Sequence, residues 1–410
     1  MNRHEGFDRT IASWLDVEAG RGAPGYLDEV LARTSQIRQR PAWSSPERWL
    51  PVQLTARFVP VPRVAWLLVI LALVVAIGFA LLTIGAPKSR PLPFGPAANG
   101  SIVYGTAAGD IIAFDPAART STAIIVGATN DETPDFSPDG SRFVFARETP
   151  DRNRWQLMVA DADGSDIRPL TGPILPAWNA WSPDSTRVAV VNTASAVDTL
   201  SIISLDGTET EVLPLDGLAP DRVQWRSPTE LVFLGRKGVT HGLYTISTDG
   251  STPRELLPAT TVDTDWLQPV LSPDGTRLVY TKWVVDGPVI HVHDLATGKD
   301  VVPVYDGTAE GDGWPTWSPD GTKLLFSRWD GKENRLAVGP VGGGHVVTMG
   351  PGFPDFTDGA VGVFSPDGTL IVARYGFDPE ATWLLDPAGG AGERVLTGVS
   401  GSVSWQRTAR

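Results

Sequence analysis

The 410-residue sequence predicts an all-β body, a seven-bladed β-propeller, behind an N-terminal helical arm and one transmembrane helix. Three observations predict it. One short phrase recurs six times at a near-constant interval. The C-terminal residues repeat the start of that phrase once more. An uncharged apolar run of 23 residues, 64–86, lies ahead of the first repeat.

The phrase reads DFSPDGSRFVFAR from Asp135, AWSPDSTRVAVVN from Ala180 and QWRSPTELVFLGR from Gln224. It returns as VLSPDGTRLVYTK from Val270, TWSPDGTKLLFSR from Thr316 and VFSPDGTLIVARY from Val363. Its serines, Ser137, Ser182, Ser227, Ser272, Ser318 and Ser365, step by 45, 45, 45, 46 and 47 residues. A period of this size marks stacked or radial supersecondary units. Within each copy proline sets φ, aspartate bonds nearby backbone and glycine takes the φ > 0 position, so Ser-Pro-Asp-Gly reads as a tight turn. The apolar runs on either side have strand composition. A further apolar run, an Asp-Gly turn and a last short strand follow. That makes four strands per roughly 45 residues, the size of one propeller blade. Ser185 replaces glycine in the second copy and the third reads Ser227-Pro228-Thr229-Glu230, so looser turns are expected there.

Six blades start at the six phrases. Residues 101–104, 110–114 and 123–126 add three strands that lack an inner partner, and Val403-Ser404-Trp405-Gln406 reads as that partner. Joining the two ends removes unpaired strand edges. Seven blades is therefore the economical count, with six as the alternative. The recurrent phrase resembles the WD40-like (PD40) repeat of TolB-like β-propellers. The resemblance covers residues 100–407 and implies a ring of a kind best known with six blades.

Residues 1–63 differ in kind, with nine Arg, no Lys and seven acidic residues. Phe7, Ile11, Trp14 and Leu15 share a face at helical spacing, as do Leu27, Val30, Leu31 and Thr34. Five prolines from Pro41 to Pro62 then mark a linker. Two short amphipathic helices are expected, too few residues for a core of their own. They form either a loose arm or a docking segment for a cytoplasmic protein at residues 1–40. As a helix, residues 64–86 reach about 35 Å, enough for a hydrocarbon core of about 30 Å. Trp66 sits near one end as an interfacial aromatic would. A cleaved signal peptide would lie nearer Met1. Residues 87–99 read as a semi-extended, proline-rich linker outside the membrane.

The whole chain carries 34 basic and 47 acidic residues. Beyond the span, residues 87–410 hold 25 basic and 40 acidic ones, a net of −15. The Arg-rich arm is therefore expected in the cytoplasm and the propeller outside the cell membrane. So acidic a body is a poor partner for nucleic acid. No cysteine occurs, which excludes disulfides, thiolate metal sites and thiol nucleophiles.

Motifs for chemistry are missing from the sequence: no G-x-S-x-G, P-loop, dinucleotide fingerprint or H-E-x-x-H occurs. No enzyme, cofactor or metal is expected. His291 and His293, two apart on one strand, read as solvated surface residues rather than a metal pair. Asp161-Ala162-Asp163-Gly164 occupies a hairpin position and reads as a turn, not as a calcium loop.

One constellation carries a candidate site. In a propeller, the loops between blades and the loops between second and third strands share one face. The first kind brings Asp131, Asp135, Asp265 and Asp312 with Trp178, Trp266 and Trp314. The second kind begins with a base, Arg147, Lys282, Arg328 or Arg374, and Trp329 follows one of them. Either these charges pair locally, or the face binds a ligand on aromatic platforms and carboxylates.

The expected function is to bind a protein, peptide or glycan, with signalling to the arm. The arm also resembles those of membrane-bound anti-sigma regulators, without their zinc-binding His and Cys residues. The alternatives are a lyase or hydrolase acting on an envelope or extracellular polymer through the central pocket, and a purely structural anchor. Cysteine-free sequence makes the orientation testable. In intact cells an impermeant thiol reagent is expected to label a Ser141→Cys chain and spare Ser35→Cys. Labelling of Ser35→Cys alone reverses the topology.

Overall fold

The computed structural model describes residues 95–409 except 151–153, 175, 194–196, 207–209, 262–266, 286, 308, 354–359, 376–381 and 397. The arm, the apolar run at 64–86 and most of the following linker lie outside the described residues. Among the described residues, no helix is long and apolar enough to cross a membrane.

Seven antiparallel sheets of four strands form the ring. Blade 1 joins β28 (Val399–Thr408) to β1 (Ala98–Thr106), β2 (Ile111–Asp115) and β3 (Thr120–Ile125). Blade 2 is β4 (Asp131–Phe136), β5 (Arg142–Glu148), β6 (Trp155–Asp161) and β7 (Arg168–Pro169). Blade 3 is β8 (Pro176–Trp181), β9 (Arg187–Asn192), β10 (Thr199–Ser204) and β11 (Thr210–Val212). Blade 4 is β12 (Ala219–Ser227), β13 (Glu230–Lys237), β14 (Thr240–Ser247) and β15 (Arg254–Thr261). Blade 5 is β16 (Leu267–Leu271), β17 (Arg277–Val284), β18 (Gly287–Asp294) and β19 (Asp300–Val301). Blade 6 is β20 (Gly311–Trp317), β21 (Lys323–Trp329), β22 (Asn334–Pro340) and β23 (Val347–Phe353). Blade 7 is β24 (Ala360–Phe364), β25 (Ile371–Tyr375), β26 (Thr382–Leu385) and β27 (Glu393–Leu396). The seven-blade count and the strand contributed by the C-terminal residues match the sequence expectation.

The recurrent phrase spans the first two strands of its blade, and its turn marks what we call the lower end of the ring. In the five copies that keep the aspartate, the serine hydroxyl donates to that carboxylate at 2.5–2.7 Å. The same hydroxyl accepts the amide five residues on, at 2.9–3.1 Å. Glycine is required for space as well as for φ. At Gly140 (φ 67°) a Cβ would fall 1.8 Å from the Arg407 carbonyl oxygen of β28, and at Gly275 2.7 Å from that of Arg226. These two turns thus pack on the inner strand of the preceding blade.

The second copy corrects the expectation of a looser turn. Ser185 adopts φ 60° and keeps the amide bond to the Ser182 carbonyl at 2.9 Å. Its hydroxyl accepts the Asp139 amide at 3.1 Å, a bond glycine could not make. The third copy does differ. Ser227 pairs directly with Glu230, and the aspartate bond is replaced by the Thr229 amide donating to the Ser227 hydroxyl at 3.2 Å.

Alternation along each strand sends successive side chains to opposite sheet faces, and here both faces are covered by neighbouring blades. Phe143 and Phe145 of β5 pack with Val103 and Ile111 of blade 1, while Val144 packs with Trp181 and Val188 of blade 3. Seven such clusters lie one between each pair of adjacent blades. Tryptophans stitch the inner strands together. Trp181, Trp225 and Trp317 donate from Nε1 to the Asp135, Ala180 and Val270 carbonyls of the preceding blade at 2.9–3.0 Å. Arg187 lies 5.0 Å over the Trp225 ring and Arg277 4.8 Å over Trp317, so the next blade is gripped from both sides.

Closure rests on β28. It pairs antiparallel with β1, Ile102 opposite Trp405 and Asn99 opposite Arg407. Arg407 donates to the Pro138 carbonyl (3.2 Å) and the Gly95 carbonyl (2.7 Å), and Gln406 donates to the Gly140 carbonyl (2.9 Å). Trp405, 6% exposed, completes the cluster between blades 7 and 1. Truncating a buried tryptophan costs about 3–5 kcal/mol. Trp405→Ala is therefore expected to lower the unfolding free energy by about that amount, and deletion of residues 401–410 by more. An unchanged melting temperature on deletion would refute closure by this strand.

Candidate functional site

Inner strands β4, β8, β12, β16, β20 and β24 line a central cavity of about 710 Å³. Its lower part is walled by prolines of the recurrent turns, Pro138, Pro183 and Pro273, and its upper part by Trp178 and Arg222. Just before the phrase aromatic, the inner strands carry Asp135, Ala180, Gln224, Val270, Thr316, Val363 and Ser404. Asp135 is the charged member of that ring of positions. Part of its surface faces the channel rather than bulk water. Burial pushes its carboxyl up to about 6, against the opposing effect of the Ser404 hydroxyl, which donates to Oδ1 at 3.1 Å. Gln224 closes the wall on another side, accepting the Leu271 amide at 3.0 Å and donating to the Pro269 carbonyl at 2.5 Å.

The upper mouth is built from strained backbone. Register shifts interrupt β4, β12 and β20 at equivalent places. Thr133, Arg222 and Trp314 occupy these bulges with φ of 49°, 47° and 52°. Left-handed φ on threonine, arginine and tryptophan is uncommon and unfavourable, and bulges re-aim the side chains they carry. Arg222 lies 4.5 Å over the Trp178 ring. Trp314 meets Trp283 edge to face, with ring centres 6.5 Å apart, and its amide donates to Thr281 Oγ1 at 3.0 Å. Burial holds the Arg222 guanidinium below its ordinary value.

The acids and bases singled out in the sequence fall into different situations. Asp131 and Arg147 face each other across β4 and β5, and Arg147 donates from Nε to Oδ1 and from Nη2 to Oδ2, both at 2.7 Å. Asp131 is 1% exposed, so this bidentate pair belongs to the blade. Asp312 and Arg328 are likewise opposite across β20 and β21, with Nε 3.6 Å from Oδ1. Arg374 contacts the Gly401 carbonyl of blade 1, and burial lowers its guanidinium. Lys282 lies on β17 opposite Val289, and Trp329 on β21 opposite Gly311; both are half-buried. Asp265 and Trp266 lie outside the described residues. Local pairing thus accounts for Asp131, Arg147 and Arg328. The channel brings together Asp135, Trp178 and, unforeseen from the sequence, Arg222 and Gln224. Each phrase begins at its member of the ring of positions before the aromatic, so comparing the first residues of the six phrases would have singled out Gln224.

Histidine placement differs from expectation. His293 is buried and His291 half-buried, because β18 packs between β17 and β19 rather than facing solvent. Their Nδ1 atoms lie 3.5 Å and 2.6 Å from the two Asp300 oxygens, and Tyr280 donates to Asp300 at 3.1 Å. Among the described residues no group of three or more such side chains is arranged to hold a metal. Asp163 accepts the Ser165 amide at 2.9 Å within the turn predicted for it, with Gly164 at φ 84°.

Asp135 has a pH signature. Its folded carboxyl titrates near 6, above an ordinary unfolded aspartate near 3.9. The fold therefore loses stability as pH rises from about 4 to about 6. Asp135→Asn, which still accepts from Ser404, removes that loss. Its unfolding free energy should match wild type near pH 4 and exceed it above pH 6, by an amount on the order of 3 kcal/mol. A difference that does not vary with pH would contradict the raised carboxyl.

No family model matches the sequence. A TolB homologue of Chlorobium luteolum is 26% identical over 162 residues, 39% of this chain, and the match spans 36% of that relative's length. The β-propeller domain of the Trilobed protease from Pyrococcus furiosus, which has an open velcro topology, is similar at 15% identity and TM-score 0.52, over 74% of this chain and 96% of that one. An oligogalacturonate lyase solved with manganese is similar at 15% identity and TM-score 0.53, over 76% and 86%. At such identities the two structures share the fold alone. The described part of this chain is thus a seven-bladed β-propeller whose recurrent phrase and TolB relative make it similar to the TolB-like propellers.

Proposed function

We propose that the ring is a non-catalytic binding module that takes an extended segment of a partner protein at the upper mouth of its channel. The observation that carries this reading is the set of strained bulges. Arg222, in left-handed conformation, lines the cavity, Thr133 and Trp314 hold the same conformation on the matching bulges of blades 2 and 6, and strain of this kind, about 1–3 kcal/mol per residue, clusters at ligand sites. Trp178 offers flat apolar surface against Arg222, Trp314 offers another on the matching bulge of blade 6, and ionised Asp135 in the channel offers a partner for a cationic group. A glycan would use the same aromatic platforms. The lyase or hydrolase alternative finds less support. No histidine lines the cavity among the described residues, and a general base near neutral pH is the first need of such chemistry.

For the rest of the chain we propose a single membrane span at 64–86, the arm in the cytoplasm and the ring outside. This reading is supported by the uncharged run and by the charge difference between its two sides. In it, capture of a partner by the ring signals to a cytoplasmic protein at residues 1–40, and sigma-factor control is one form that signal takes.

The binding reading is tested by selecting peptides on the full chain from a random library and measuring their affinity by calorimetry. Trp178→Ala combined with Trp314→Ala is expected to weaken selected peptides by tenfold or more, as loss of aromatic anchors does, without lowering the melting temperature of the ring. Peptides that bind both chains equally would remove the mouth as the site. Turnover of an acidic polysaccharide by the chain would favour the enzyme.

A further inference from the structure

A second cavity, of about 490 Å³, lies away from the channel, between blades 5 and 6. Pro288, Val289 and Ile290 of β18 make one wall, and Tyr305, Glu310 and Asp312 make the polar side. The walls are fixed. A Cβ on Gly311 would fall 2.5 Å from Pro288 Cδ, so the proline ring sits directly on β20. The Tyr305 ring stacks on Phe326 with centres 4.7 Å apart.

Two polar atoms here are buried without a hydrogen-bond partner, Asp312 Oδ1 and Tyr305 Oη. The nearby base does not satisfy them. Arg328 Nε stands 3.6 Å from Oδ1, and its Nη2 is committed to the Asp306 carbonyl at 2.8 Å. A buried acceptor left without a donor destabilises the fold, more so when charged. Burial accordingly pushes Asp312 up to about 6, against the pull of Arg328, and raises the Tyr305 hydroxyl so that it stays protonated at neutral pH. Asp312 and Glu310 against Arg328 leave the lining with an excess negative charge.

Apolar walls ending in an orphaned carboxylate oxygen and a phenol describe the complement of one chemical group: an aliphatic stem with a cationic donor at its tip. We propose that the cavity between blades 5 and 6 binds a lysine- or arginine-type side chain, its methylenes on Pro288, Val289 and Ile290 and its head donating to Asp312 Oδ1 and Tyr305 Oη. The tyrosine keeps its proton and accepts from the cation through its oxygen, so both atoms gain a donor. The site stands apart from the channel reading, since the pocket can hold an amine whether or not the channel binds a peptide.

The full chain is titrated with N-acetyl-lysine amide, N-acetyl-arginine amide and the uncharged N-acetyl-norleucine amide, with binding followed by ligand-observed NMR. At least one cationic probe is expected to bind saturably, and norleucine at least tenfold more weakly, as loss of a charged hydrogen bond implies. Asp312→Asn should weaken the cationic probe by about tenfold or more. Because that change also leaves Arg328 without its acid, two further variants carry the test. Tyr305→Phe removes a hydroxyl that has no partner, so it should leave the melting temperature unchanged or higher while weakening the probe severalfold. Val289→Trp should fill the cavity and abolish binding. Equal binding of norleucine, no saturable binding of either cation, or affinity untouched by both Tyr305→Phe and Val289→Trp would each overturn the proposal.

Discussion

The ring depends on one pairing, that of β28 with β1. Every blade is a sheet whose two faces are both buried by neighbours, so no blade has a core of its own. The apolar surface of β5, for instance, is divided between blades 1 and 3. Such an arrangement is stable only if the last blade finds the first. Without β28, β1 would present an open edge, Ile102 and Tyr104 would lose Trp405, and blade 7 would lose the neighbour that covers Val372 and Leu384. Contacts between the Asp135–Gly140 region and the C-terminal strand make the joint continuous with the rest of the lower end. Ser404 binds Asp135 and the Phe136 amide there, and Gln406 binds Gly140.

Two ends of the ring obey different rules. At the lower end the same serine, aspartate and glycine recur because the same problem recurs, a tight reversal pressed against the strand of the blade before it. The solution is local and polar, and it leaves little freedom. At the upper end the strands part, bulges interrupt the inner ladders, and residue types vary from blade to blade. The charged pairs there, Asp131 with Arg147 and Asp312 with Arg328, hold the first two strands together where the ladder is weakest. Variation among repeats is where a ring of near-identical units can carry recognition.

This division explains what was legible in the sequence. Strand number, order and closure could be read because turn chemistry is encoded within a few residues, and because Val403–Gln406 carries the same pattern as the six phrases. Ser185 misled only in degree: its left-handed φ is repaid by a hydroxyl bond to the neighbouring turn, a tertiary effect that no local rule contains. His293 misled more, since its burial depends on β18 lying within the sheet beside β19. For the site, Asp131 and Arg147 were visible as opposite charges at matching offsets. The bulges were not. Nothing in the residues around Arg222 announces a positive φ, and the position owes its conformation to the curvature of β12 against its neighbours. Gln224 was hidden because the third phrase is shifted by one residue relative to its serine.

Asp135 and Asp312 share a peculiarity. Each is a carboxylate in a confined cavity, raised toward 6 by burial, within a body already rich in negative charge. Neither is held at its ordinary value by a base, and each weakens the fold in the pH range where it ionises. Arg222 in the channel wall adds backbone strain. These two carboxylates each sit at a cavity lined in part by apolar surface. Free energy held in this way is released when a cation or donor arrives, so the same groups that weaken the empty ring strengthen the occupied one. The acidic field of the ring acts in the same direction, since it raises the local concentration of cationic segments before contact is made. A fold whose lower end is spent on closure thus keeps its uncompensated charge and its strain where a basic segment of a partner would meet them.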